Sequence, residues 1–178
     1  MVDDDLTIVQ QTLSGDSAAF ERLVEKYQRL VFNLALNMSR NYDDAADITQ
    51  SVFLKVYEKL GSFNPKYKFF SWLYRIAVNE SLNLVQKQGR TEELDEEIAT
   101  DQHAPDSSAE SGDVTQGVQD ALLELDLNYR VVIVLKHFQD LSYDEISLIL
   151  DIPEKLVKSR LFTARTMLRK ICTQRGIV

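Results

Sequence analysis

The segment from Leu141 to Cys172 constrains the fold of this chain more than any other. Ser142 followed by Glu145 forms a capping box, so a short helix is predicted to begin at Ser142. Pro153 should end that helix, because proline disfavours helical geometry in the residue before it. The same proline suits the first turn of a second helix, which continues without a breaker to about Cys172. The segment therefore predicts a helix-turn-helix.

The second predicted helix carries an apolar face and a basic face when its residues are rotated by 100° each. From Lys155 onward the chain has seven basic residues and no acidic one. A solvated amphipathic helix would explain such a face alone, but its place behind the turn favours binding in the DNA major groove. Arg160 falls on the apolar side and is expected to pair with Asp144 or Glu145. The residues on the basic face are Lys155, Lys158, Ser159, Phe162, Arg165, Thr166 and Arg169.

The formal net charge of −8 is concentrated in one segment. Residues 91–113 hold nine acidic residues and no lysine or arginine, and they lack a helical apolar repeat. This composition predicts a disordered acidic linker, which would span about 75–80 Å when fully extended at roughly 3.4 Å per residue. We therefore expect an all-α chain with two small helical domains, residues 1–90 and residues 114–178, that the flexible linker can separate widely.

Composition gives no sign of secretion, membrane insertion or catalysis. Cys172 is the single cysteine, so an internal disulfide is excluded and a reducing compartment fits. The acidic start, residues 1–5, does not resemble a signal peptide, and the longest apolar run, Val131 to Leu135, is too short to cross a bilayer. His103 and His137 are isolated, and the sequence has no glycine-rich phosphate loop or nucleophile elbow. We expect a cytoplasmic protein that is not an enzyme and has no metal or cofactor.

Apolar residues spaced by three and four predict a series of helices in residues 1–90. The third helix is expected from about Asp43 to Leu60, and the fourth from about Phe69 to Gln88. Acidic and aromatic side chains lie outside the inward stripe of the third helix, which indicates either a protein partner or a helix buried on two sides. These side chains are Asp44, Asp47, Gln50, Ser51, Phe53, Leu54 and Tyr57.

Cations and aromatic residues alternate just before the fourth helix, in Lys66-Tyr67-Lys68-Phe69-Phe70-Ser71. Aromatic rings stack on unpaired bases and cations hold phosphates, so this pattern suits single-stranded DNA better than duplex. The alternative is that Phe69, Phe70 and Trp72 are core residues, which we expect of at least one of them. The adjoining face of the fourth helix consists of Trp72, Arg75, Asn79, Asn83, Gln86 and Arg90.

Two of these segments resemble the signature sequences of one protein family. Phe70 to Asn79 and Val157 to Arg165 look like the conserved segments of ECF (extracytoplasmic-function) sigma factors, which are small two-domain subunits of bacterial RNA polymerase. The resemblance covers nearly the whole chain in the right order, apart from the linker. It implies a sigma region 2-like domain in residues 1–90 and a sigma region 4-like domain in residues 114–178. The linker would then follow the nucleic-acid channel of the polymerase, or serve only as a solubilising spacer.

The resemblance implies core RNA polymerase and promoter DNA, both duplex and melted strand, as partners, and an anti-sigma factor or a kinase as a candidate regulator. The residues that match the helix docking on the polymerase clamp are Asp44, Asp47, Gln50, Phe53 and Tyr57. Those that match the loop capturing a flipped base of the start-proximal promoter element are Asn64 to Ser71, with Trp72, Arg75 and Asn79 on the adjoining helix, whose face also carries Asn83. Those that match the helix reading the upstream promoter element are Lys158, Ser159, Phe162, Thr163 and Arg165.

Three departures from the family pattern predict weak intrinsic activity. Ala46 stands where a glutamate is usual, which removes a carboxylate from the polymerase contact. Lys155-Leu156 replaces the usual Gly-Thr, and few basic residues follow the fourth helix. Phosphorylation of Thr49 or Ser51 would restore negative charge to the docking helix.

Two other functions remain open at this point. One is a helix-turn-helix regulator whose N-terminal domain binds a ligand or dimerises. The other, more distant, is a helical anti-sigma or adaptor protein that makes no contact with DNA.

Overall fold

The computed structural model describes residues 4–95 and 112–177. Within these two ranges the chain is helical and contains no strand, which confirms the all-α prediction. A 3-10 turn, Leu60–Ser62, follows the third helix, and a π-helical turn, Val134–Phe138, extends the sixth. The helices are α1 (Asp4–Leu13), α2 (Ser17–Ser39), α3 (Tyr42–Lys59), α4 (Phe69–Asp95), α5 (Gly112–Leu123), α6 (Leu127–Ile133), α7 (Tyr143–Leu150) and α8 (Glu154–Gln174).

We call residues 4–95 the front half and residues 112–177 the rear half. The helices of the front half begin at the polar residues that the sequence offers as caps. Gly15 takes a left-handed conformation with φ of 100°, and the side chain of Asp16 then accepts a hydrogen bond from the backbone N–H of Ala19. The side chain of Asn41 caps α3 by accepting two backbone N–H groups.

The helix-turn-helix forms as predicted. Ser142 and Glu145 make the reciprocal capping box at the start of α7. Asp151 ends α7 in a left-handed conformation with φ of 55°, a geometry that aspartate tolerates better than most residues. Pro153 then precedes the first residue of α8, so the turn is made by Asp151 as well as by the proline.

Apolar stripes close the core of the front half. Helix α2 packs against α1, α3 and α4, and α3 packs against α4. The carboxylate of Asp5 is buried, and it accepts hydrogen bonds from the Tyr27 hydroxyl and the Lys26 ammonium, which ties α1 to α2. The fully buried side chains that fill this core include Leu23, Val31, Leu34, Val52, Leu73 and Ala77.

The apolar run Val131 to Leu135 is helical despite its β-branched residues, as predicted, and each of its side chains is buried. Helix α6 packs against α8, and the π-helical turn packs against α2 and α7. This segment is surrounded by other helices, so it needs no polar face, and its composition therefore shows none of the usual helical alternation.

The two halves pack against each other in this structure, a contact that the sequence analysis did not predict. Helix α4 contacts α7, and α2 contacts the π-helical turn of the rear half. The buried apolar side chains of both halves join in one continuous cluster. The halves therefore share an interface that hydrophobic burial stabilises.

Helix α4 continues to Asp95, beyond its expected end near Gln88. It thus extends into the first part of the predicted linker, because residues 91–95 include good helix formers and no breaker. The rest of the predicted linker, residues 96–111, lies outside the described residues. No helix in the described ranges combines the length and the apolar character needed to span a bilayer.

Candidate functional site

Helix α8 presents its basic face to solvent. Val157, Leu161 and Ala164 are buried against the rest of the rear half, so the opposite side of the helix is free. Phe162 is 74% exposed, a large apolar side chain on a charged surface. A partner that covers such a ring would remove its apolar surface from water, which is favourable. The other predicted duplex contacts, Lys155, Lys158, Ser159, Arg165 and Arg169, are exposed, and Thr163 is half-buried.

Two contacts position the cations of this face. Lys158 pairs with Glu154 one turn earlier, and its ammonium lies 5.4 Å from the centre of the Tyr143 ring. The hydrogen bond and charge of Glu154 raise the pKa of Lys158. Arg165 donates a hydrogen bond from Nε to Nε2 of His137 at 3.1 Å. Burial, and then the positive charges of Arg165 and Lys136, lower the pKa of His137, which favours the neutral ring that can accept this hydrogen bond.

The expected pairing of Arg160 with Asp144 or Glu145 is wrong. Arg160 is half-buried and makes no ion pair within the described residues. The carboxylate of Glu145 is instead held by the backbone N–H and hydroxyl of Ser142 at 2.9 and 2.8 Å. These hydrogen bonds lower the pKa of Glu145. The carboxylate that Arg160 was expected to bind is therefore part of the capping box.

The residues before α4, together with the first three residues of that helix, form a segment of mixed exposure, which we call the capture loop (Asn64 to Ser71). Lys66, Tyr67 and Lys68 are exposed, Tyr67 by 60%. Phe69 is only 1% exposed and packs against the rings of Phe63 and Tyr27, so its predicted role in DNA contact is corrected to that of a core residue. Phe70 and Trp72 are half-buried, and Ser71 is buried.

A cavity of about 510 Å³ lies between the capture loop and α7 of the rear half. Ser71 lines it, and the buried hydroxyl of this residue has no hydrogen-bond partner. Such a buried polar atom costs free energy unless a ligand or water satisfies it. The front half contributes Lys66, Tyr67, Lys68, Trp72 and Arg75 to the lining, and α7 and its cap contribute Asp144, Glu145, Leu148 and Asp151.

Arg75 bridges the two halves at this cavity. Its Nη2 donates to the backbone carbonyl of Leu148 at 2.5 Å and lies 3.7 Å from the Asp151 carboxylate. Asn79 and Asn83, predicted on the same face of α4, are exposed. No local sequence pattern indicates the Arg75 contact, because it joins residues more than seventy positions apart. Arg90 lies outside the residues whose side chains are described.

The predicted polymerase-docking helix α3 borders an open apolar groove of about 570 Å³. Asp47 and Gln50 are exposed, and Asp44 is half-buried and accepts a hydrogen bond from Nε2 of Gln88 at 2.9 Å. Tyr57 is 56% exposed, whereas Phe53 is 9% exposed and lines the groove instead of projecting from it. The apolar lining consists of Phe20, Val24 and Phe32 of α2 with Phe53, Leu54 and Tyr57 of α3.

Sequence reasoning missed the contribution of α2 to this groove. Phe20 and Val24 follow the inward stripe of α2, but both are only partly buried in the structure. The stripe of α2 is wider than one neighbouring helix requires, and that width is the signal that could have identified them.

The two candidate phosphorylation sites on α3 differ in their surroundings. The Thr49 hydroxyl donates to the Ala45 carbonyl at 2.6 Å and borders the groove. The Ser51 hydroxyl donates at 2.9 Å to the carboxylate of Glu80, which also pairs with Lys55. A phosphate on Ser51 would therefore face a carboxylate and be repelled. No group of residues suited to a metal ion occurs in the described part of the chain.

Two family models match separate segments of the chain. The model of Sigma-70 region 2 matches residues 23–91, and the model of Sigma-70 region 4 matches residues 115–168. The chain is 34% identical over 174 residues to the ECF RNA polymerase sigma factor SigW of Bacillus subtilis, covering 91% of this chain and 93% of that protein. It is 33% identical over 177 residues to the ECF RNA polymerase sigma-E factor of Haemophilus influenzae, covering 92% and 93%.

Solved structures share the fold. CnrH, in complex with the cytosolic domain of CnrY, superposes with a TM-score of 0.74 at 24% identity, covering 96% of this chain and 97% of that one. The sigma factor RpoE from Bartonella quintana, in complex with the anti-sigma factor NepR, superposes with a TM-score of 0.68 at 23% identity, covering 86% and 96%.

Proposed function

Because the chain belongs to the ECF family of RNA polymerase sigma factors, we propose that it binds core RNA polymerase and promoter DNA and starts transcription there. The strongest support is that one chain carries both a solvent-exposed basic face on a helix-turn-helix and an exposed cationic, aromatic loop on a separate helical unit. The first suits paired DNA and the second suits unpaired bases, the two DNA forms that transcription initiation requires.

Duplex recognition falls to α8. Lys155 and Arg169 lie towards opposite ends of its exposed face, where they can hold phosphates on either side of the groove. Lys158 and Arg165 lie between them and can donate to base edges. Phe162 projects from the centre of this face, where a thymine methyl group would cover its ring.

Strand capture falls to the capture loop and the start of α4. Tyr67 and Trp72 offer rings to unpaired bases, since Tyr67 is exposed and Trp72 lines the cavity. Lys66 and Lys68 beside them can hold the phosphates of the same strand. Ser71 lines the same cavity, but its hydroxyl is buried and is not available to a base in this structure.

Polymerase docking falls to α3 and the groove between α2 and α3. Asp47 and Gln50 supply polar groups at the rim, and Tyr57 supplies an exposed ring. An apolar floor with a polar rim is the usual composition of a protein interface. Ala46 is exposed at this rim, so the missing carboxylate weakens the polymerase contact without affecting the fold.

The chain acts as an initiation factor and not as an enzyme, and it works in the cytoplasm, where bacterial polymerase and promoter DNA are found. The two structural relatives are complexes, with the cytosolic domain of CnrY and with the anti-sigma factor NepR. An anti-sigma factor is accordingly the candidate regulator of this chain, and the α2–α3 groove offers it an apolar surface. A kinase acting on Thr49 is the alternative regulator, because a phosphate there would add negative charge beside the groove.

Transcription by purified core polymerase tests the function. A sigma factor should start RNA at particular promoters when it is the only factor added to core enzyme. A helix-turn-helix regulator would change transcription only when a housekeeping sigma factor is also present. An anti-sigma or adaptor protein would lower transcription without binding promoter DNA.

A further inference from the structure

The π-helical turn brings two basic side chains beside the basic face of α8. The backbone N–H of Gln139 donates to the Val134 carbonyl five residues earlier, at 3.1 Å, so this turn holds one residue more than an α-helical turn. Turns of this kind are frequent at functional sites. The side chains that it carries are Lys136 and His137, and the DNA contacts described above include neither of them.

Each of these two side chains is connected to a cation of the basic face. The ammonium of Lys136 lies 5.4 Å from the centre of the Tyr143 ring, and the ammonium of Lys158 lies at the same distance from it. Nε2 of His137 accepts the Nε–H of Arg165 at 3.1 Å. The contact to Arg165 is the more directional of the two, because a hydrogen bond depends on angle as well as on distance.

The hydrogen bond to His137 leaves the outer edge of the Arg165 guanidinium free. Arginine has five N–H donors in a rigid plane, and within the described residues only the Nε–H of Arg165 is used. The donors on Nη1 and Nη2 form a pair that can bind O6 and N7 of guanine. Because the plane is held at Nε, this pair has a fixed direction before DNA arrives, and less rotamer freedom is lost on binding.

The fold of the rear half does not depend on this hydrogen bond. Helix α8 is already held by Val157, Leu161 and Ala164, which are buried. His137 and Arg165 are both exposed, and a hydrogen bond between exposed groups contributes little to stability because water competes for both partners. A directional contact that adds little to the fold, on the predicted DNA-binding face, points to a role in binding.

We propose that His137 is a positioning residue for promoter recognition: by holding Arg165, it makes the chain select guanine at the base pair that Arg165 contacts. The inference rests on the proposed function, because the direction of Arg165 matters only if this side chain reads a base edge. Nε2 of His137 accepts only when the ring is neutral and carries its proton on Nδ1. Protonation of the ring therefore ends the contact.

Base selection at this position therefore depends on pH. Burial, and then the cations Arg165 on α8 and Lys136 in the same turn, lower the pKa of His137 from 6.5. Helices α2 and α7 also pack against the turn, but within the described residues neither supplies a charge that acts on the ring. As the pH falls through the pKa of His137, the acceptor is lost and the two cations repel each other.

Two substitutions of His137 separate a positioning role from a structural one. His137→Ala removes the acceptor. His137→Gln keeps an acceptor, the side-chain carbonyl oxygen, but cannot be protonated. Gln174→Ala is the control, because Gln174 is an exposed polar residue of α8 about two and a half turns beyond Arg165. Arg165→Ala identifies the base pair that Arg165 contacts.

Selection from a pool of random-sequence duplexes by the full-length chain in complex with core RNA polymerase tests the proposal. The base pair whose preference disappears with Arg165→Ala should be one where wild type selects guanine. His137→Ala should lower this guanine preference about two- to ten-fold, the cost of one lost hydrogen bond, and leave the other base pairs unchanged. His137→Gln and Gln174→Ala should match wild type. In the Arg165→Ala background, His137→Ala should have no further effect.

The pH dependence of the selection provides a second readout. The guanine preference of wild type should fall towards that of His137→Ala as the pH is lowered from neutral through the pKa of His137, which lies below 6.5. His137→Gln should keep its preference over the same range. Affinity for the unselected pool, measured at each pH, corrects for the general effect of added positive charge on phosphate binding.

An unchanged guanine preference with His137→Ala, or an equal loss of affinity for every sequence, would overturn the proposal. So would a loss with His137→Gln as large as that with His137→Ala, or a wild-type preference that does not change with pH. Failure of the proposed function is recognised separately, because the wild-type complex would then select no sequence and start no RNA. A chain that transcribes while His137→Ala keeps the wild-type preference is a sigma factor in which Arg165 needs no positioning.

Discussion

At the scale of single residues, exposure separates the side chains that build the fold from those available to partners. Phe69 and Phe53 belong to aromatic patterns that suggest binding, yet both are buried. Tyr67 and Phe162 are exposed by 60% and 74%. The sequence identifies which segments are unusual, but only the packing decides which ring of each segment reaches solvent.

Lys158→Glu should lower affinity for duplex promoter DNA at least about ten-fold, the usual cost of losing one base or phosphate contact and adding a repulsive charge. The fold should be unaffected because Lys158 is exposed. Electrophoretic mobility shifts with an upstream-element duplex measure the loss. Lys170→Glu, an exposed lysine of the same helix outside the predicted contacts, is the control. Equal losses in the two variants would mean that the face has no specific role.

His137 should titrate below its ordinary pKa of 6.5, because burial and two neighbouring cations disfavour its protonated form. The unfolded chain then binds the proton first, so this group lowers stability as the pH falls below 6.5 and has no effect well above it. NMR titration of the ring measures the midpoint. Arg165→Gln should raise that midpoint by removing a nearby positive charge. A midpoint that Arg165→Gln leaves unchanged would contradict the contact.

At the scale of helices, the caps and apolar repeats predicted α2, α3, α7 and α8 closely. The capping box of α7 is local chemistry, so it can be read from residues three positions apart. The extension of α4 to Asp95 differs from the prediction because the acidic composition of residues 91–95 favours disorder, whereas their helix propensity favours the helix that forms. The groove between α2 and α3 was also missed, since it depends on how two helices pack and not on either sequence alone.

Ala46→Glu should strengthen binding to core polymerase several-fold, because it restores to α3 the carboxylate that the family usually has there. Ala46 is exposed, so the longer side chain should fit without disturbing the core. Competition for core enzyme against a labelled sigma factor measures the gain. Ala46→Gln adds similar size without charge and should behave like wild type. A gain with glutamine equal to that with glutamate would show that charge is not the cause.

At the scale of the whole molecule, the structure adds the packing of the two halves against each other, which the sequence did not predict. Arg130 links the two halves, because its guanidinium donates to the Met38 carbonyl of the front half as well as to carbonyls of the rear half. The rear-half acceptors are Leu122, Leu123 and Leu125. Contacts between residues so distant in sequence leave no local pattern. A single sequence therefore predicts each half but not their interface.

Arg130→Lys should destabilise the chain by roughly 3 kcal/mol, because one ammonium cannot satisfy the carbonyls that the planar guanidinium reaches. Burial lowers the pKa of Arg130, because removing the charged guanidinium from water is unfavourable. In the native fold the hydrogen bonds of Arg130 offset this loss of hydration. Urea unfolding measures the change. Arg169→Lys, on the exposed face of α8, should unfold like wild type. Equal stability of all three proteins would refute the role of Arg130.

The division of labour between the halves is tested most directly by promoter opening, measured as permanganate reactivity of thymines with core polymerase and this chain. Wild type should open the promoter. Tyr67→Ala and Trp72→Ala should keep duplex binding but lose reactivity at the start-proximal element, whereas Lys158→Glu should lose duplex binding and, with it, opening. Tyr67→Ala is the cleaner variant because that ring is exposed. Full reactivity with Tyr67→Ala and Trp72→Ala, or equal loss of duplex binding in all three variants, would contradict the assignment of paired DNA to α8 and unpaired bases to the capture loop.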